Sequence, residues 1–253
     1  MIPFPQPLLR ASFLRRENRF RATLLLDGQQ VSAHVPNSGR LGELLVPGAP
    51  CYLSSSTDPQ RRTPYDLRLV AQGETLVSID ARLPNHLFAE ALEEGRLPDF
   101  SSYQERQAEA RHGDSRLDFL LVDQAGRRLW VETKSVTLIE DATALFPDAP
   151  TARGLKHLRA LRDIALAGDQ AAVVFIIQRD DAARFAPHPK ADPTFTHALA
   201  EAIGYGVQAR AYRCRVTFEG ITIAEEVPVH LEPPWDHALG QAAMKGHSGL
   251  AEA

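Results

Sequence analysis

Between Ser115 and Lys134 the sequence permits little besides two strands folded back on each other. Leu117, Phe119, Leu120, Leu121 and Val122 form one apolar run, Leu129, Trp130 and Val131 begin the next, and Gln124-Ala125-Gly126 lies between them. A glycine in a three-residue connection supplies the left-handed backbone that a tight hairpin needs. If Asp123 and Arg127 close the turn, pairing outward sets Asp118 opposite Glu132 and Arg116 opposite Lys134. Side chains alternate along a strand, so Glu132 and Lys134 share one face and Asp118 joins them there.

Two carboxylates across an antiparallel pair lie about 5 Å apart, and at an effective dielectric near 20 they repel by about 3 kcal/mol. Lys134 could offset this, or a divalent metal could take an oxygen from each acid. Mg²⁺ suits such a site because it prefers hard oxygen ligands and keeps waters for a phosphate. An Asp followed on the next strand by Glu-x-Lys is the spacing of metal-dependent phosphodiesterases, in which the acids hold the ion and the lysine serves water and phosphate. The same triplet also occurs on plain solvated sheet faces, and a one-residue slip in register would send its members to opposite sides.

The rest of the composition narrows the field. With 253 residues, 44% hydrophobic and 24% charged, the chain has the makings of soluble globular domains. Its formal net charge of −4 makes any anion site local. The two cysteines, Cys51 and Cys214, sit far apart in strand-like runs and read as buried thiols of a reducing compartment. The N-terminus lacks the apolar core of a signal peptide, and the longest apolar run, Ala171 to Ile177, is too short to span a bilayer. A cytoplasmic protein without membrane attachment is expected. Scattered histidines without CxxC or HExxH spacing argue against zinc, and neither a nucleophile elbow nor a Gly-rich phosphate loop is present.

Residues 1–82 read as short strands, including a hairpin about Asp27-Gly28, and suggest a small OB-type barrel. Arg10, Arg15, Arg16, Arg19 and Arg21 cluster around Phe13 and Phe20, mixing cations and aromatics as single-strand binders do. The stretch His34-Val35-Pro36-Asn37-Ser38-Gly39-Arg40 gathers further donors in one loop. Near Arg82-Leu83-Pro84 the pattern turns helical, and a second domain over 83–232 is expected: a helix from His86 to Glu94 with Asn85 as its cap, an edge strand, the hairpin, a helix near 151–167, the buried strand Ala171–Ile177, a helix capped by Asp192-Pro193, and a closing strand pair. The fold class is α/β (α+β overall), a mixed sheet flanked by helices behind a small barrel. Residues 233–253 read as a flexible tail.

Several blocks together resemble the bacterial and archaeal sugar fermentation stimulation protein family: Arg19-Phe20, the Ala33–Arg40 stretch, Leu83-Pro84-Asn85, Ser115-Arg116-Leu117-Asp118-Phe119, Glu132-Thr133-Lys134-Ser135, Phe146-Pro147-Asp148-Ala149, the Thr151–Leu158 stretch and Asp192-Pro193. The resemblance implies an OB-type barrel followed by a restriction-endonuclease-like PD-(D/E)xK domain. It places the nuclease motif on Asp118, Glu132 and Lys134, with the Thr133 carbonyl as a further metal ligand and Glu90 assisting from the first helix. It also assigns Lys156 and His157 to phosphate. Thr133 stands where an apolar residue is commoner, and Ser38 where threonine is usual.

The resulting expectation is a nucleic-acid-binding protein that cleaves DNA or RNA with Mg²⁺ or Mn²⁺. Arg15, Arg16, Arg19, His34, Asn37, Ser38, Arg40, Arg116, Lys156 and His157 would hold the strand. The alternatives are a DNA-binding regulator of sugar metabolism that keeps the nuclease fold without cleaving, and an enzyme acting on a small phosphate ester.

Overall fold

The computed structural model describes residues 1–56, 58 and 60–231; the tail read as flexible lies outside the described residues. In chain order the elements are β1 (Ile2–Pro3), β2 (Leu9–Asn18), β3 (Arg21–Leu26), β4 (Gln29–His34), β5 (Pro50–Ser55), β6 (Tyr65–Gln72), β7 (Thr75–Ser78) and α1 (Leu83–Glu93). There follow β8 (Tyr103–His112), β9 (Ser115–Asp123), β10 (Arg128–Val136), β11 (Leu138–Glu140), β12 (Thr143–Phe146) and α2 (Ala152–Leu166). The last elements among the described residues are β13 (Gln170–Ile177), β14 (Arg184–Pro187), α3 (Pro193–Gly204), β15 (Gln208–Val216) and β16 (Gly220–Val227).

The barrel forms from β2 to β6, with β7 added beside β6, and it closes where β4 meets β6 at Ala33↔Tyr65 and His34↔Asp66. Closure removes the free edges that a small sheet would otherwise expose. Its interior is filled by Phe13, Leu24, Val35, Leu53 and Leu67. Bordering it, Asp66 is 6% exposed and binds Arg61 at 2.7 Å and Arg68 at 3.0 Å. Burial pushes the Asp66 carboxyl up, but the two guanidinium groups outweigh it and hold the carboxyl below its usual range. A carboxyl depressed in this way stabilises the fold above its unfolded pKa and loses that contribution as pH falls through the folded value. Asp66→Asn is therefore expected to cost about 3 kcal/mol at pH 7. Urea titrations should show the difference from wild type shrinking below about pH 4, near the ordinary Asp value; a difference that grows on acidification would contradict the reading.

The second sheet has seven strands in the order β1-β16-β15-β13-β10-β9-β8. β13 is parallel to both β10 and β15, and the flanking pairs are antiparallel. A central strand in this setting is covered on both faces, which is why Ala171–Ile177 is apolar throughout and fully buried. One face packs on α1, through Leu87, Phe88 and Ala91. The other packs on α2, α3 and a small sheet of β11, β12 and β14, through Leu158, Leu161, Phe185 and Phe195.

The first residues, read from the sequence with the barrel, instead pair with β16 at the far edge of the large sheet. The barrel and this sheet also share packing, since Leu69 and Tyr52 join the α1-side cluster with Phe119 and Val131. Ser78 N–H donates to Gln178 O at 3.0 Å, and Gln178 Nε2 donates to Asp80 O at 3.1 Å. These contacts fix the cleft between the two parts. Among the described residues, no helix is long and apolar enough to cross a membrane.

Candidate functional site

The hairpin turns where its glycine requires, with Gly126 at φ +77° and Asp123 N–H donating to Arg127 O at 3.1 Å. Pairing runs outward through Arg128↔Val122, Leu129↔Leu121, Trp130↔Leu120 and Val131↔Phe119, and stops there. β10 stays with β13 as far as Val136↔Ile177, whereas β9 follows β8 to His112↔Ser115. Committed to different neighbours, the two strands part at the acids. Asp118 and Glu132 are thus not a ladder pair, and Arg116 pairs with Arg111 rather than with Lys134.

The Asp118 carboxylate reaches into the parting. Its Oδ2 accepts the Thr133 N–H at 2.7 Å, and its Oδ1 accepts Asn85 Nδ2 at 2.8 Å. Thr133 Oγ1 lies 2.9 Å from Asp118 Oδ2 and 2.5 Å from Asn85 Oδ1, with one proton to give. A carboxylate has about four acceptor sites, so Oδ1 keeps one free.

Glu132 is only 3% exposed. Its Oε1 accepts from both Lys134 Nζ and His157 Nδ1, while Oε2 is buried with no hydrogen-bond partner. Burial pushes the Glu132 carboxyl up, but Lys134 and His157 outweigh it and hold the group below its usual range. An unpartnered buried acceptor costs roughly 1–3 kcal/mol, more when charged. A cation would remove that cost.

The expectation that Asp118 shares a face with Glu132 and Lys134 is corrected by these bonds. Asp118 turns toward Thr133 and Asn85 on the α1 side, and Glu132 turns toward His157 of α2. Both open on one cleft of 1310 Å³, which Asn85, Thr133 and Lys134 also line. Among the described residues no group of three or more His, Cys, Asp or Glu side chains gathers for a metal. An ion here would rest on two carboxylates plus backbone, water and phosphate oxygens, the habit of Mg²⁺ and its relatives.

The barrel supplies the opposite wall through Arg16, Arg19, Asn37, Ser38 and Arg40. Arg16, read as a strand-binding cation, is committed to the fold. Its two terminal nitrogens donate to the carbonyls of Arg19, Asn37, Gly39 and Arg40 at 2.5–2.9 Å. Asn37 donates to Ile79 O at 2.9 Å, and the N–H groups of Arg40 and Leu41 donate to Asp148 Oδ2 at 2.7 and 3.2 Å. A Cβ at 39 would lie 2.6 Å from Asp148 Oδ2, so any other residue would displace the carboxylate that the Arg40 and Leu41 N–H groups hold. Two N–H groups of this stretch thus tie it to the other wall through Asp148, while Asn37 and Arg16 hold it to the barrel. Arg19, Ser38 and Arg40 remain exposed to the cleft, joined from α2 by Arg153.

Other expected site residues lie elsewhere. Glu90 points away from the acids, bound to the Met1 ammonium at 2.7 Å and to Arg96 at 2.9 Å. The α1 residue at the site is Asn85, because Pro84 sits in the first turn and the helix starts at Leu83, not His86. Arg15 pairs with Glu17, His34 with Phe20 O, Arg116 with Glu109 and Lys156 with Asp114 O, and none of the four lines the cleft. His157, assigned to phosphate, is instead buried against Glu132. Cys51 and Cys214 are free and buried, and burial pushes the Cys51 thiol up to about 12, so neither serves as a nucleophile.

Comparison with known proteins adds a family to this geometry. Residues 14–79 match the SfsA N-terminal OB domain, and residues 82–220 match the sugar fermentation stimulation protein RE domain. A sugar fermentation stimulation protein homolog of Moorella thermoacetica is 46% identical over 90% of this chain and 98% of its own. One from Chloroflexus aurantiacus is 45% identical over 88% and 86%. Among solved structures, Pyrococcus furiosus SfsA in complex with Ca²⁺ superposes with a TM-score of 0.83 at 33% identity, covering 91% of this chain and 99% of that one.

Proposed function

The chain belongs to the sugar fermentation stimulation protein family, and from that premise we propose that its cleft binds a nucleic-acid backbone and cleaves phosphodiester bonds with a divalent cation. The observation that carries this reading is the Glu132 carboxylate, buried with Oε2 unpartnered on a cleft that Asp118 also enters. A surface used only to bind phosphate gains nothing from two acids that repel it. The Ca²⁺ in the Pyrococcus furiosus relative supports a divalent ion at such a site, and Mg²⁺ or Mn²⁺ is the working ion proposed here. Asp118 Oδ1, Glu132 Oε2 and the Thr133 carbonyl would hold it.

Each residue then has a task. When bound, the ion supplies a polarised phosphoryl oxygen and a water of lowered pKa. Asn85 and the Thr133 N–H hold the Asp118 carboxylate in place. Lys134, whose side chain is 11% exposed and sits on Glu132, brings an ammonium to the charge that builds on the phosphate. Arg19, Arg40 and Arg153 at the rim attract the polymer.

The first test is incubation of the purified protein with single- and double-stranded DNA and RNA, with Mg²⁺, Mn²⁺ or chelator. Cleavage that needs the ion supports the proposal, and binding without cleavage in any ion favours a DNA-binding regulator. Arg19→Ala and Arg40→Ala should each weaken binding similarly across sequences and lower the slope of log affinity against log salt by about 1. Unchanged slopes in both would remove the barrel wall from the interface.

A further inference from the structure

Glu132 treats its two oxygens unequally. Oε1 takes two donors, one from its own strand (Lys134) and one from α2 (His157), and Oε2 takes none although it is buried. Lys134 is part of the proposed chemistry and would move toward a substrate phosphate, so it cannot be relied on to fix the carboxylate throughout. His157 can. It is 5% exposed and sits on the buried face of α2 with Leu158, Leu161 and Ile164, so it makes no approach to solvent or a polymer.

The local sequence brings it there. Thr151 caps α2 by accepting the Gly154 N–H at 3.0 Å, and its own N–H is held by Asp192 at 2.9 Å. Gly154 lies one turn before His157 on the same helical face. A Cβ on Gly154 would lie 2.8 Å from Thr151 Cγ2 and 3.2 Å from the Phe195 ring, so this end of α2 approaches its neighbours as only glycine allows. The seating of the first turn sets the reach of His157 toward β10.

We infer that His157 is a positioning residue: its Nδ1–H clamps Glu132 Oε1 so that Oε2 is presented to the divalent ion. The inference rests on the metal-site reading above. A donor that orients a metal-binding carboxylate is worth about 10–100-fold in metal affinity, and the effect should appear without substrate. Asparagine keeps an N–H near the Nδ1 position, glutamine places one near Nε2 instead, and leucine keeps bulk but donates nothing.

The test is calorimetric titration of Mn²⁺ into the full chain, wild type and variants, with thermal unfolding in chelator as the fold control. His157→Leu should weaken Mn²⁺ binding about 10–100-fold, and His157→Asn should recover most of the loss while His157→Gln does not. A folded His157→Leu that binds Mn²⁺ like wild type overturns the inference. If His157→Leu does not fold, the amide pair decides, and Gln matching wild type while Asn fails, or equal affinity in both, overturns it. Asp118→Asn separates this from the parent reading: wild type that binds no Mn²⁺, or Asp118→Asn that binds it unchanged, removes the metal site itself.

Discussion

Asp118→Asn and Lys134→Ala each lose metal-dependent cleavage by about 10³-fold, the scale of removing one preorganised electrostatic group, while nucleic-acid binding stays within a few-fold of wild type. The two losses differ in kind. Asp118→Asn keeps the shape and, with its oxygen toward Thr133, that hydrogen bond; its amide NH2 then meets Asn85, whose own amide must turn over to accept, and the ion loses a charge, so Mn²⁺ affinity falls with turnover. Lys134→Ala leaves both carboxylates in place, so the ion still binds and only turnover falls. Glu132→Gln is a poorer probe, because it leaves the partly buried Lys134 ammonium without its counter-charge, a defect worth about 3–5 kcal/mol in a buried pair. Gel assays of cleavage and filter binding on the same preparations check the pattern. Cleavage that survives either change takes the chemistry away from this cleft.

Phe175→Ala is expected to destabilise the chain by about 3–5 kcal/mol, the usual cost of emptying a large buried aromatic site. Phe175 is fully buried in the middle of the seven-stranded sheet and stacks on Phe185 with ring centroids 3.9 Å apart. Phe146 lies 5.8 Å away and itself meets Phe195 at 5.1 Å. Its ring neighbours Phe146 and Phe185 are held in the paired strands β12 and β14, so the hole is expected to close only in part. The site should feel the change, since Phe175 is the ladder partner of Lys134. Leu25→Ala, at a residue 39% exposed, serves as a contrast expected to cost under about 1 kcal/mol. Urea unfolding of the pair checks both; similar small losses would mean that the layer around Phe175 does not hold the sheet together.

What was legible in the sequence followed from short-range chemistry. The Gly126 turn set the hairpin register as far as local pairing extends, and Asp192 and Thr151 marked two helix starts because their side chains accept N–H groups three residues on. The buried strand announced itself by having no polar face. The misses came from long-range partners. The resemblance gives Glu90 a supporting role from the first helix, but the Met1 ammonium reaches it only because β1 crosses to β16. Arg16 looked like one of several equivalent strand arginines until the loop from Asn37 to Arg40 folded over it.

The small sheet of β11, β12 and β14 was also illegible. β11 and β12 join through Asp141 and Ala142, both at positive φ, where Asn-Gly would have signalled such a turn. Asn85 was hidden in plain view: its place in Leu83-Pro84-Asn85 read as a cap, and the first-turn proline moved the helix start past it and left its amide to Asp118. Where β9 and β10 part is decided by β8 and β13, which no local pattern in the hairpin contains.

The most direct measurement is anomalous scattering from a crystal of the protein soaked in Mn²⁺. A single strong peak between Asp118 Oδ1 and Glu132 Oε2, within the short distances of first-row divalent ions to oxygen, is the expected result. A well-ordered cleft with no peak there, or with the ion bound away from both carboxylates, would contradict the assignment of these acids.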